Sequence, residues 1–141
     1  MGCDIHIFAE CKRGRKGKRK HWRFFDELKG ERIYGIFSVL AGVRLDIPSL
    51  FPPRGLPGDI TQEVYKRYID GKPDWHHPSW LTTEEFEQVL SYGQEILPKE
   101  CEKDGEEYSG YCFDSYLYIL DILKEHESVG EPSRIIFWFD N

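Results

Sequence analysis

The chain has 141 residues, 40% apolar and 15% aromatic, which suits a single domain with its own hydrophobic core and excludes a disordered segment. No run approaches 18 consecutive apolar residues, so no membrane-spanning helix is expected. The formal charge of -6 hides an asymmetry: seven of the 19 basic residues stand in Lys12–Lys20, leaving 12 against 25 acids, or -13, in the remainder. Such an acidic body repels a phosphate backbone and argues against general nucleic-acid binding, while leaving room for a small local anion site.

Residues 2–11 alternate in the manner of a half-buried strand, with Cys3, Ile5, Ile7 and Ala9 on one face and Asp4, His6, Phe8 and Glu10 on the other. Asp4, His6 and Glu10 also interrupt any apolar core of a secretory signal, and His6 stands where a myristoylation motif carries Ser or Thr. A cytoplasmic location is therefore expected, with Cys3, Cys11, Cys101 and Cys112 kept as thiols. Beyond the basic run, His21-Trp22-Arg23-Phe24-Phe25 reads as a second strand, so that the run forms the tip of a long hairpin turning at Gly14 and Gly17.

Ile33, Ile36, Phe37, Leu40 and Val43 recur at helical spacing and predict a helix over 33–43. Residues 44–59, with Pro48, Pro52, Pro53 and Pro57 around Arg54-Gly55-Leu56, predict a long irregular connection, and such loops are often functional. Asp59 or Thr61 can cap a short helix through Val64, Tyr65 and Tyr68. Lys72–Trp80 is read as a second irregular connection, stiffened by Pro73 and Pro78 and carrying Trp75, His76, His77 and Trp80. Thr82 with Glu85 three residues on is a capping box, opening a helix whose apolar face is Phe86, Val89, Leu90, Gly93, Ile96 and Leu97 and which Pro98 should stop.

The last helix is predicted over Ser109–His126, with Asp114, Tyr118, Asp121 and Glu125 as its polar stripe. Cys101 and Cys112 are read as packing residues. After the Gly130-Glu131-Pro132 breaker, Arg134–Phe139 forms the last strand. The expected architecture is α+β: a small, mainly antiparallel sheet, built from the N-terminal hairpin and the C-terminal strand, packed with about four helices.

Residues three apart on a strand face opposite ways, so Cys3 and His6 cannot grip one ion. Asp4 and His6 share a face, and Trp138 and Asp140 share one on the last strand. If the two strands are neighbours, Asp4, His6, Trp138 and Asp140 converge. One reading makes them a binding cluster; the other makes His6 a structurally satisfied histidine beside carboxylates that cap strand ends. Trp75 and Trp80 can stack on a base while His76 or Arg54 contacts phosphate. The same tryptophans serve equally well as plugs that hold the loop, and Arg54 as a surface ion pair. Gly-x-Ser-x-Gly, Cys-x-x-Cys, His-Glu-x-x-His and phosphate-loop motifs are all missing, so nucleophilic catalysis has little support; no resident cofactor is expected.

Met1-Gly2-Cys3-Asp4-Ile5-His6, Leu40-Ala41-Gly42-Val43-Arg44, Arg54-Gly55-Leu56-Pro57, Ser79-Trp80-Leu81-Thr82 and Phe137-Trp138-Phe139-Asp140-Asn141 together resemble a family of small phage and prophage proteins that open with the same hexapeptide. That family carries His-Ser where this chain has His76-His77, which makes His76 the better candidate of the two. The resemblance implies a host-cytoplasmic accessory protein, of the kind that acts against host defences by sequestering or degrading a nucleotide messenger.

The leading expectation is a binding protein for a small nucleotide-like or phosphorylated ligand, held by Asp4, His6, Arg54, Trp75, His76, Trp80, Trp138 and Asp140. The first alternative is a metal-assisted phosphodiesterase or hydrolase, with Asp4, His6 and Asp140 on the ion and His76 as acid or base. The second is a protein-interaction module using the basic hairpin 12–20. The aromatic content is also compatible with a homo-oligomer.

Overall fold

The N-terminal strand runs from Ile5 to Arg13 (β1) and has a partner on each edge. The hairpin strand His21–Leu28 (β2) pairs with it on one side, and the last strand, Ser133–Phe139 (β4), on the other. Both pairings are antiparallel. The computed structural model describes residues 2–14, 17–71, 73–103 and 113–140; Arg15 and Lys16 of the basic run, the 109–112 start expected of the last helix, and the side chains of Cys101 and Cys112 with the packing role expected of them, lie outside these.

A fourth strand, His76–Thr82 (β3), joins the free edge of β4 and completes an antiparallel sheet of order β2-β1-β4-β3. The loop expected over Lys72–Trp80 is thus half wrong. β4 is buried along its whole length, so the N–H and C=O groups on its second edge need protein partners. The sequence hides this strand because Pro78 reads as a breaker. In the fold it sits within a bulge, where the register slips between His76 and Ser79 and His77 takes a positive φ of 54°.

Four helices occur among the described residues, α1 (Tyr34–Ala41), α2 (Gln62–Gly71), α3 (Thr83–Lys103) and α4 (Asp114–Ser128), and the α+β class is the one expected. α1 ends at Gly42, whose φ of 70° lets its N–H fold back onto the Ser38 carbonyl. The capping box forms as read: Glu85 N–H donates to Thr82 Oγ1 at 3.2 Å, and Thr82 N–H to Glu85 Oε1 at 3.0 Å. Pro98 does not stop α3. It deprives only the Gln94 carbonyl of its intrahelical donor, and Gln94 is exposed, so water can take that place.

α1, α3 and α4 cover one face of the sheet. Ile5, Ile7 and Ala9 of β1 and Ile135, Phe137 and Phe139 of β4 pack there against Phe37, Leu40, Phe86, Leu90, Tyr116 and Leu123. The opposite face is not open, as the half-buried reading of β1 implied. α2 and the 51–60 connection close over it, and Phe8, Val64, Ile136 and Trp138 form a second, smaller core with Leu56, Ile60, Tyr68, Trp75 and Trp80 packed around it.

That closure also buries a charge pair. Glu10 and Arg134 are cross-strand partners, with side chains 0% and 3% exposed. Arg134 Nη2 lies 2.6 Å from Glu10 Oε1, its Nη1 donates to Asp59 Oδ1 at 2.8 Å, and its guanidinium stacks 3.8 Å over the Trp22 ring. The second oxygen of Glu10 accepts the Thr61 N–H at 2.8 Å, and Thr61 Oγ1 in turn accepts from Val64 in the first turn of α2. Thr61, not Asp59, therefore caps that helix.

Breaking a buried pair strands the surviving charge, at a typical cost of about 3–5 kcal/mol. Arg134→Met is expected to lower the urea-unfolding free energy by about that amount. The double variant Glu10→Gln, Arg134→Met should regain part of the loss, and an unfolding midpoint unchanged in the single variant would refute this account.

Candidate functional site

Because Ile5 pairs with Phe139 and His6 with Trp138, the start of β1 and the end of β4 meet at one end of the sheet. Asp4 and Asp140 continue the ladder there: the Asp140 N–H donates to the Asp4 carbonyl and the Asp4 N–H to Asp140 Oδ1, both at 3.0 Å. The other carboxylate oxygen of Asp140 stands 2.8 Å from His6 Nε2. Each side chain of this pair is 28% exposed, so it is sheltered yet reachable.

Trp75, immediately before β3, lays its indole over His6 at 5.1 Å and over Trp138 at 5.0 Å. Gly71 at the end of α2 makes room for it, since a Cβ there would fall 2.1 Å from the ring. Beneath Trp75, Trp138 is fully buried and stacked on Phe8 at 4.7 Å, and its indole N–H finds no hydrogen-bond partner among the described residues. Trp138 is thus a floor, and any ring bound at this end would meet Trp75 first. His76 pairs with Phe139 from the far edge of β4, and its Nδ1 lies 2.6 Å from His77 Nδ1. Burial and the neighbouring His76 hold the His77 imidazole below its usual range.

Three residues not singled out from the sequence as ligands complete this end. Arg32 grips Asp4 through two bonds of 2.8 Å, which pulls the Asp4 carboxyl below its ordinary range. Tyr34 Oη accepts from the Cys3 N–H and from Arg44 Nη2, each at 3.2 Å, and the arginine bond lowers the phenol. Arg44 lies over the Tyr34 ring at 4.6 Å from a backbone with φ of 79°, a conformation a non-glycine residue seldom adopts. Arg44 stands within one of the quoted motifs, but Arg32 and Tyr34 join only through the tertiary fold.

Arg54 and Trp80 belong elsewhere. Trp80 pairs with Ile136, three residues or about 10 Å along β4 from Phe139. Arg54 stacks on its ring at 4.7 Å, donates to its carbonyl at 3.3 Å and clasps the Glu85 carboxylate with both terminal nitrogens. These contacts engage the Arg54 guanidinium and suit a brace between the 51–60 connection and α3.

The donors expected to hold a metal do not point to a common centre. Both Asp4 oxygens lie on Arg32, and those of Asp140 serve the Asp4 N–H and His6. Hollows of about 480 and 450 Å³ lie instead along the hairpin, some six residues or about 20 Å along β1 from His6. Lys12, Arg19, Lys20 and Arg23 line the larger one opposite Asp59 and Glu63.

No protein-family model, curated protein or solved structure matches this chain.

Arg54 holds the Glu85 carboxyl down from 4.5 to about 2 against the opposing effect of burial. A carboxylate depressed on folding contributes stability that is present above pH 4.5 and lost as pH falls toward 2. Denaturation followed across that window should show a steeper acid loss for the parent than for Glu85→Gln; equal slopes would contradict it.

Proposed function

We propose that this protein binds a small nucleotide-like or phosphorylated ligand at the sheet end formed by Asp4, His6, Trp75, His76 and Asp140, with Arg32 and Arg44 alongside. The observation that carries the reading is the His6–Asp140 pair, 2.8 Å apart, partly exposed and roofed by the Trp75 indole at 5.1 Å. A half-buried indole offers a stacking face, an imidazole held by a carboxylate offers a directed hydrogen bond, and Arg44 supplies positive charge for a phosphate, the charge of Arg32 being balanced by Asp4. Trp138 and Tyr68 pack against the Trp75 ring and restrict its motion, which lowers the entropy cost of binding. Arg54 and Trp80 are left to the structural brace.

In the cell, the reading extends to retention of a nucleotide signal made by a host defence system, which the resemblance to phage accessory proteins implies. One observation favours a second reading, hydrolysis of the same ligand. An imidazole oriented by a carboxylate is the arrangement that takes a proton from water, with Asp140 fixing the tautomer of His6.

Calorimetry against a panel of cyclic and ADP-ribose-type nucleotides tests both. Binding tighter than about 100 μM to at least one member is expected, and its absence across the panel would remove the proposal. Trp75→Ala should weaken that binding by about 1–3 kcal/mol, the usual worth of one base-stacking contact, and His6→Ala and Asp140→Asn should weaken it as well. Ligand recovered intact after denaturation identifies retention, and recovered product identifies hydrolysis.

A further inference from the structure

At the other end of β1, on its helix-covered face, three metal-binding side chains from three elements come together. Cys11 is fully buried in β1, His126 lies in the last turn of α4, and Glu131 lies in the connection from α4 to β4. Cys11 Sγ, a ring nitrogen of His126 and a carboxylate oxygen of Glu131 all fall within 4.8 Å of one another. We propose that Cys11, His126 and Glu131 form a zinc-binding site that clips the end of α4 to the sheet.

A thiolate, an imidazole and a carboxylate are the donor types zinc takes at about 2.0–2.3 Å, and three donors at this separation need only small side-chain shifts to close on one ion, with water completing a tetrahedron. Harder ions fit less well: calcium and magnesium take oxygen donors, whereas this set has one. The surroundings are already those of a ligand shell. Glu131 Oε2 is bonded by Arg13 Nε, leaving Oε1, 3.3 Å from His126 Nδ1, directed at the cluster. The Phe25 ring lies 4.2 Å from that of His126 and restricts its rotation.

The backbone is pinned as well. Glu131 N–H donates to the His126 carbonyl at 3.0 Å, Lys12 N–H to the Pro132 carbonyl at 2.7 Å, and Ser133 N–H to Glu127 at 2.8 Å. Ordering the donors beforehand removes much of the entropy cost of assembling a site. On ligation Cys11 releases its proton to water as the S–Zn bond forms, with no change in oxidation state. Thiolate, carboxylate and Zn²⁺ sum to no net charge, and Arg13 remains as the outer partner of Glu131.

The test uses the full chain, stripped with a chelator and titrated with Zn²⁺ in competition with a chromophoric chelator, and separately with Co²⁺. One equivalent is expected, with a thiolate-to-cobalt charge-transfer band and tetrahedral visible bands. His126→Gln and Glu131→Gln should each weaken zinc binding by more than about tenfold, and Cys11→Ser should abolish the charge-transfer band with unchanged circular dichroism. Zinc should raise the melting temperature of the parent but not of His126→Gln. A missing thiolate band overturns the proposal, and so does a band that survives in Cys11→Ser, which would assign binding to another thiol. If Cys11→Ser does not fold, the two partly exposed positions, His126 and Glu131, decide: unchanged zinc affinity in both overturns the site.

Discussion

The antiparallel pairing of β1 with β4 is the constraint on which the molecule rests. It joins segments more than a hundred residues apart in sequence, with Ile5 opposite Phe139 at one end of the ladder and Cys11 opposite Ser133 at the other. Closing so long a loop carries an entropy cost that grows only slowly with its length, and burial of β4 together with most of β1 offsets it. One residue of slip would turn Phe137 and Phe139 toward α2 and Trp138 toward the main core, so the register is strongly specified. It is this register that sets Asp140 beside His6 at one end and brings the connection bearing Glu131 to Cys11 at the other.

Covering both faces of the central strands raises a second problem, because β1 carries Glu10 and β4 carries Arg134 on the side away from the main core. The fold solves it by facing the two across the ladder and saturating them: Glu10 receives Arg134 and the Thr61 N–H, and Arg134 also receives Asp59 and the Trp22 ring. The carboxylate lies near the first turn of α2, where the exposed N–H groups of a helix favour negative charge. A pair that is costly to bury thereby locates α2 over the sheet, and α2 in turn carries Tyr68 and Gly71, against which Trp75 packs.

Chemistry-bearing side chains concentrate at the two ends of β1. At one end a histidine–aspartate pair lies under an indole, with the Arg32–Asp4 pair, Arg44 and Tyr34 nearby. At the other a thiol, an imidazole and a carboxylate meet beside the basic hairpin. The ends differ in donor type and in exposure. The first is partly open, whereas the second is built around a fully buried sulfur.

Much was legible in the residues themselves. The alternation in β1, the hairpin, the capping box at Thr82 and Glu85, and the polar stripe of α4 are set by spacing within a few turns or strand pairs, and the chain folds accordingly. So was the convergence of Asp4, His6, Trp138 and Asp140, conditional on two strands being neighbours, because side-chain direction along a strand alternates whatever surrounds it. Partnership across the fold was not legible. That Pro78 sits in a bulge, that α3 continues through Pro98, that Arg54 is engaged by Glu85 while Arg32 reaches Asp4, and that Cys11 meets His126 all depend on which distant segments lie alongside. Local pattern determined the elements and the faces of their side chains; only packing decided which charges are paired and which residues share a site, since both follow from distances that sequence separation does not encode.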